Sequence, residues 1–125
     1  MTDRDDNVYA RLTRVFHEPN RLAIVSALAG VTDGLTFSTL KRECDLTDGN
    51  LSRHLKTLEE AGMVVLDKRF VGAKPQTTVI LTDQGRDQFV DYLDSLATAL
   101  LRASEALDTS TAPGDGHELD AAAPA

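Results

Sequence analysis

The chain has no tryptophan, a single cysteine and only 5% aromatic residues. With Cys44 as the one thiol, an intrachain disulfide is excluded and a reducing compartment fits. No apolar run is long enough to span a bilayer, so no membrane partner is expected. The opening MTDRDDN is acidic and polar, the reverse of a secretory signal, which makes the cytoplasm the expected location. Cations are scarce: 13 Lys and Arg face 20 Asp and Glu, a net charge of −7. Taken alone, that balance argues against a nucleic-acid partner, because phosphate binding needs a basic surface. No glycine-rich phosphate loop occurs. Ser52 and His54 stand two apart on a helix and cannot face each other, so a catalytic pair fails. Neither an enzymatic activity nor a cofactor is expected.

What is present fits one domain. The 125 residues, 42% of them hydrophobic, can bury a modest core. The acidity sits mostly at the ends. Residues 109–125 hold Asp115, Glu118 and Asp120 without a cation, and residues 1–7 hold Asp3, Asp5 and Asp6 against Arg4. Between Arg53 and Lys74 the sign reverses, with Arg53, Lys56, Lys68, Arg69 and Lys74 against Glu59, Glu60 and Asp67.

The hydrophobic period orders the elements. Val8, Leu12, Val15 and Phe16 predict a first helix over 8–17. Pro19 suits the first turn of a second, with Leu22, Val25 and Leu28 on one face and Gly30 as its stop. After Asp33-Gly34, Phe37, Leu40 and Cys44 predict a short third helix. Thr47 is the expected N-cap of a fourth, spanning about 48–61 and ending at Gly62. MVVLDKRFVGAKPQTTVILT then turns β-branched, a hairpin over about 64–81 with a four-residue tip, Gly72-Ala73-Lys74-Pro75. Thr82 can cap a last helix over 83–108, and the composition from Thr109 onward reads as disorder. The order, mainly α with a small β-hairpin, predicts a winged helix-turn-helix domain over 8–82 with an additional C-terminal helix for dimerisation.

The fourth helix decides the functional reading. Wound at about 100° per residue, Leu51, Leu55 and Leu58 fall on one side and face the core. Opposite lie Gly49, Arg53 and Lys56, with Asn50 and Thr57 on the shoulder and no carboxylate before Glu59. Arg can read guanine, Asn adenine, and Thr a thymine methyl. Gly49 in the first turn would let backbone N–H groups approach a phosphate at the positive end of the helix. The hairpin adds Lys68, Arg69 and Lys74, whose phosphate contacts would position the domain.

The segments EPNRLAIVSALA, LTDGNLSRHLKTLEEAGMV and QTTVILTDQGRDQF resemble the winged-helix transcriptional regulators grouped near the MarR and ArsR families. The likeness runs from about Phe16 to Tyr92. It implies a dimeric repressor or activator with the fourth helix in the major groove of double-stranded DNA. By that resemblance Asn50, Ser52, Arg53, Lys56 and Thr57 map to groove or phosphate contacts, and Lys74 to the wing tip. One departure is the tip itself, GAKPQ, which carries less arginine than related wings.

Other features are weighed against simpler readings. Cys44 in ECDL is similar to the thiolate motif of metal-sensing regulators, but one sulfur on an apolar stripe reads as a small buried hydrophobe. His54 lies about 60° from the centre of the leucine stripe, nearer the core than the groove, and is expected half-buried and hydrogen-bonded. His17 is expected to face solvent or cap a helix. DGHELD, Asp115 to Asp120, lacks the second histidine of a zinc-protease motif and falls in the expected tail. In the last helix Phe89, Leu93, Leu96, Leu100, Ala103 and Leu107 are spaced 4, 3, 4, 3 and 4 apart, a short a/d seam suited to a homodimer, with Val8 and Leu12 alongside. A sequence-specific, homodimeric regulator with a pseudo-palindromic operator is the reading favoured. Its rivals are a protein-interaction module and a metal- or thiol-responsive sensor using Cys44, and a small-molecule effector is left open.

Overall fold

Side-chain caps start the helices of this chain, those at Thr47 and Thr82 in the predicted places. A computed structural model describes residues 10 and 13–115. Helix α1, of which residues 10 and 13–17 are described, ends at His17. Helix α2, Pro19–Ala29, begins with its proline in the first turn, where no N–H is needed, and the Glu18 carboxylate accepts from Arg21 N–H at 2.9 Å. Its Ile24, Val25 and Leu28 are buried, and Gly30 closes it. Strand β1 is only Leu35–Thr36. Thr36 also caps α3, Phe37–Cys44, accepting from Thr39 N–H at 3.1 Å. Helix α3 stops at Asp45, whose φ of 55° lies in the left-handed region that Asp tolerates better than most residues. Two residues on, Thr47 caps α4, Asp48–Glu60, accepting from Asn50 N–H at 3.1 Å.

The hairpin follows as β2, Val64–Val71, and β3, Lys74–Leu81, in a three-stranded antiparallel sheet of order β1-β3-β2. The register runs from Val64 opposite Leu81 to Val71 opposite Lys74, and Leu35 pairs with Val79. The tip is therefore two residues, Gly72-Ala73, not the four expected. Gly72 has a φ of 65°, and a positive φ at the first central residue alone matches a type II′ turn, which suits strand twist. Pro75 joins the ladder because it stands opposite Phe70, next to the closing Val71–Lys74 pair, and β1 does not reach that far along the other edge of β3.

Helix α5, Asp83–Asp115, starts on Thr82 as expected but runs past the predicted end at 108. Once nucleated, each added residue costs little, so Thr109 to Ala112 continue the spiral that their composition alone would not begin. The helix thus enters the expected tail, as far as Asp115. The remainder of that tail, with Glu118 and Asp120, lies outside the described residues, as do the leader 1–7 and the seam residues Val8 and Leu12.

The chain divides into two units, one up to Tyr92 and one from Leu93. The core of the first unit gathers Phe16, Ile24, Val25, Leu28, Leu40, Leu51, Leu58, Met63, Val64 and Val79 from α1, α2, α3, α4 and the sheet. Cutting a fully buried leucine such as Leu51 to alanine costs about 2–5 kcal/mol at sites of this kind. The start of α5 is fastened to this core. Thr82 Oγ1 accepts from Gly85 N–H at 2.8 Å and donates to Gly62 O at 2.7 Å. A Cβ on Gly85 would run into the Met63 backbone, so only glycine allows the approach. Phe89 packs on Phe16 at a centroid distance of 5.5 Å and is buried. Phe89 is thus a core residue and leaves the predicted dimer seam, because the first turns of α5 are needed to close the helical core. Within the second unit, Leu93, Leu100 and Leu107 are exposed and Leu96 is half-buried.

Candidate nucleic-acid interface

The outer face of α4 is built by what its inner face must do. Leu51, Leu55 and Leu58 are buried against the core, which turns Gly49, Asn50, Ser52, Arg53 and Lys56 out to solvent and leaves Thr57 half-exposed. All six predicted helix residues therefore share one accessible surface. They are not independent. Arg53 Nη2 donates to Asn50 Oδ1 at 3.1 Å, and Thr57 Oγ1 donates to Arg53 O at 3.3 Å. The Arg–Asn pair presents a fixed fork of guanidinium and carboxamide donors rather than two separate readers. In front of Gly49 the space is open, with nothing within 4 Å of the point a Cβ would occupy.

Helix α3 contributes a cation that sequence reasoning did not single out. Lys41 Nζ lies 2.9 Å from Asp48 Oδ1, the lysine half-buried and the aspartate exposed. Asp48 stands in the first turn of α4, where a carboxylate favours the helix dipole but would repel a phosphate. Lys41 offsets that charge and ties the two helices of the unit. Arg42 is exposed beside it. Nothing in the spacing of LKREC gave this away, because the pair is made across the Asp45 turn.

The wing keeps two of its three cations clear. Lys68, Arg69 and Lys74 are all exposed. Arg69, however, grips Asp67 two residues back, Nη2 to Oδ2 at 2.7 Å and Nε to Oδ1 at 3.4 Å. A surface pair of this kind is worth about 0–1 kcal/mol, weak enough for a phosphate to compete.

Beneath the helix, His54 is only 3% exposed, deeper than the half-burial expected, yet it is hydrogen-bonded as predicted. Its Nδ1 is 3.5 Å from Arg21 Nη1 and 3.9 Å from Glu18 Oε1. Burial pushes its pKa down, Glu18 pulls it up, and Arg53 and Arg21 add to the lowering, which prevails. Partial burial of Glu18 works against its charge. The N–H groups of Arg21 and Asn20, with the charges of His54 and Arg21, nonetheless hold its carboxyl below the usual range. His17 is exposed but not idle: its Nδ1 meets Tyr92 OH at 2.7 Å. Cys44 is half-buried, and burial together with Glu43 raises its thiol pKa, the opposite of a reactive thiolate. Among the described residues no group of three His, Cys, Asp or Glu side chains could hold a metal ion. No described helix is long and apolar enough to cross a membrane.

A helix-turn-helix whose second helix shows a carboxylate-free polar face, followed by a cationic hairpin, defines a class. The chain belongs to the winged helix DNA-binding domain family, whose model matches residues 20–100. It is similar to an uncharacterized protein of Methanocaldococcus jannaschii, 36% identical over 80 residues that cover 64% of this chain and 86% of that one. Among solved structures, a transcriptional regulator homologue from Pyrococcus horikoshii OT3 matches with a TM-score of 0.65 at 32% identity, covering 70% of this chain and 85% of that one. The transcriptional repressor CouR, solved on a 23-mer DNA duplex, shares the fold at a TM-score of 0.60 and 17% identity, over 89% and 78% of the two chains. The resemblance to winged-helix transcriptional regulators read from the sequence is thereby borne out.

Proposed function

We propose that this chain is a sequence-specific DNA-binding transcriptional regulator of the cytoplasm, acting as a homodimer on a pseudo-palindromic operator. The observation that carries the reading is the outer face of α4. From Gly49 to Thr57 it offers Asn50, Ser52, Arg53 and Lys56 with no carboxylate, and Lys41 offsets the one at Asp48. Such a face suits base edges in the major groove, and Lys68 and Lys74 on the hairpin suit the flanking phosphates. The solved complex of CouR with a DNA duplex supports the same partner here.

Pairing is supported by the second unit. Leu100 is 61% and Leu101 60% exposed, and Leu93 and Leu107 are exposed with them. A helix showing that much apolar surface to water is disfavoured, and a second copy would cover it. Two copies would set two recognition helices on half-sites about 10 base pairs apart.

The decisive measurement is binding to duplexes selected from a random pool, followed across salt concentration. Counterion release predicts a steep negative slope, and Arg53→Ala should lose about 1–3 kcal/mol of specific binding with an unchanged melting temperature. A protein that binds no duplex, or binds without salt dependence, would instead use this face on another protein.

A further inference from the structure

Under the polar face of α4, one buried nitrogen stands between two groups of opposite sign. His54 Nδ1 is 3.5 Å from Arg21 Nη1 and 3.9 Å from Glu18 Oε1. A guanidinium only donates, so facing Arg21 the nitrogen must accept, and the ring is neutral with its proton on Nε2. A carboxylate only accepts, so the same nitrogen, once protonated, turns to Glu18. Neither helix end depends on the choice. Arg21 keeps its bonds to Val15 O at 2.9 Å and Arg14 O at 3.3 Å, and Glu18 keeps the Arg21 N–H at 2.9 Å. The fold therefore admits both forms of His54, and the surrounding charge decides between them.

Three charged groups act on the ring: Glu18 and Arg21 from the cap and first turn of α2, and Arg53 beside it on α4. Burial and the two arginines oppose the proton, Glu18 favours it, and in the free protein the opposition prevails. Duplex DNA changes that balance. At about 100° per residue His54 lies about 40° round the helix from Asn50, at the border of the exposed face. A helix is about 10 Å across, close to the Debye length at physiological salt, so phosphates brought to that face are felt at the ring. A phosphate or base edge that engages Arg53 also offsets one of the two repelling charges. Both effects favour the imidazolium.

Resting on the DNA-binding reading above, we propose that His54 is a proton-binding regulatory site. The duplex complex holds His54 as a cation paired with Glu18, so operator binding takes up a proton and tightens as the pH falls. Acidification thereby acts on the chain without a small-molecule ligand. It acts from beneath α4, not through the face that touches DNA.

The test is calorimetric titration of the full chain with the duplex selected by the wild type, in buffers of different ionisation enthalpy, with affinities at pH 7.5 and 5.5. Below pH 6.5 the wild type should take up protons as it binds. An opposite charge nearby moves a pKa by about one unit, which is tenfold in affinity. From pH 7.5 to 5.5 the wild type should therefore gain about tenfold per protomer over His54→Gln. At pH 7.5, where position 54 is neutral in both, the two should bind alike. Other groups that titrate in this range are common to both proteins, and the comparison removes them. Glu18→Gln can still accept the Arg21 N–H but takes away the partner of the imidazolium. It should reduce the uptake and move it to lower pH, and it carries the test if His54→Gln unfolds. A wild type that binds the duplex without proton uptake overturns the proposal and leaves DNA binding standing. So does an uptake unchanged in either folded variant. A wild type that binds no duplex removes both readings together.

Discussion

Arg21 and Arg86 do the same work at two corners of the first unit. Arg21 donates from Nε to Val15 O at 2.9 Å and from Nη2 to Arg14 O at 3.3 Å, closing the last turn of α1. Arg86 donates to Ala29 O at 3.1 Å and Val31 O at 3.4 Å, closing α2. Helix ends leave carbonyls unpaired, and a guanidinium satisfies them while meeting the negative end of the dipole. Two of the scarce cations are thereby committed to the fold and unavailable to phosphate. Gly49 is the converse, a residue with no structural duty: its φ is ordinary and a methyl would meet open space. Gly49→Ala should therefore stabilise α4 by about 0.5–1 kcal/mol while weakening duplex binding, because the methyl keeps a phosphate from the backbone. Urea unfolding and binding measured on the same variant check both halves, and unchanged affinity would remove Gly49 from the interface. His54 sets a pH dependence. Its folded pKa lies below the ordinary 6.5, so as pH falls through 6.5 the unfolded chain takes up the proton first and stability drops. Glu18, the facing carboxylate, limits that drop, whereas Arg21 and Arg53 deepen it. Between pH 7.5 and 5.5 the wild type should lose more unfolding free energy than His54→Gln, which lacks this group. Equal losses in the two proteins would exclude His54 as the source.

Elements differ in how far their own residues announce them. The starts of α2, α3 and α4 lie near or at Pro19, Thr36 and Thr47, and a cap acts over three residues, so local sequence suffices. The polar face of α4 was readable for the same reason, because three leucines fix its phase. Strand β1 was not readable. Two residues cannot show alternation, and its pairing with Val79 joins positions 44 apart in the chain. The hairpin tip was misjudged because Pro75 looks like a turn residue and is tolerated in a strand only where its edge is unpaired. Phe89 matched the heptad spacing of α5 but is claimed by Phe16, a partner that no spacing within α5 reveals. The Lys41–Asp48 and Asp67–Arg69 pairs also escaped notice, since charge counting treats each residue as alone. The wing carries the prediction proper to this scale. Lys74 adjoins the tip, is exposed and makes no ion pair among the described residues. Lys74→Ala should weaken binding to all duplexes alike and make the salt slope shallower by about one. Loss confined to one sequence would mean that this lysine reads bases.

For the whole molecule, net charge and function pull in opposite directions. At −7 the chain as a whole repels DNA, yet a positive surface within about a Debye length governs the encounter. The dimer proposal belongs here too. Replacing the exposed Leu93 and Leu100 with Glu should split the pair and leave a folded monomer with most of its operator affinity lost, because one half-site is bound without a tethered partner. Sedimentation of the wild type as a monomer at tens of micromolar would refute the pairing. The strand order β1-β3-β2 has a consequence for biosynthesis. The strand made last is the middle one, so during translation β1 and β2 both wait, unpaired, until β3 emerges from the ribosome. The three short helices can meet before then through contacts close in sequence, whereas the full three-stranded sheet has to wait for β3. A messenger truncated before the codons of β3 would leave β1 and β2 without their shared partner, not yield a smaller version of the domain.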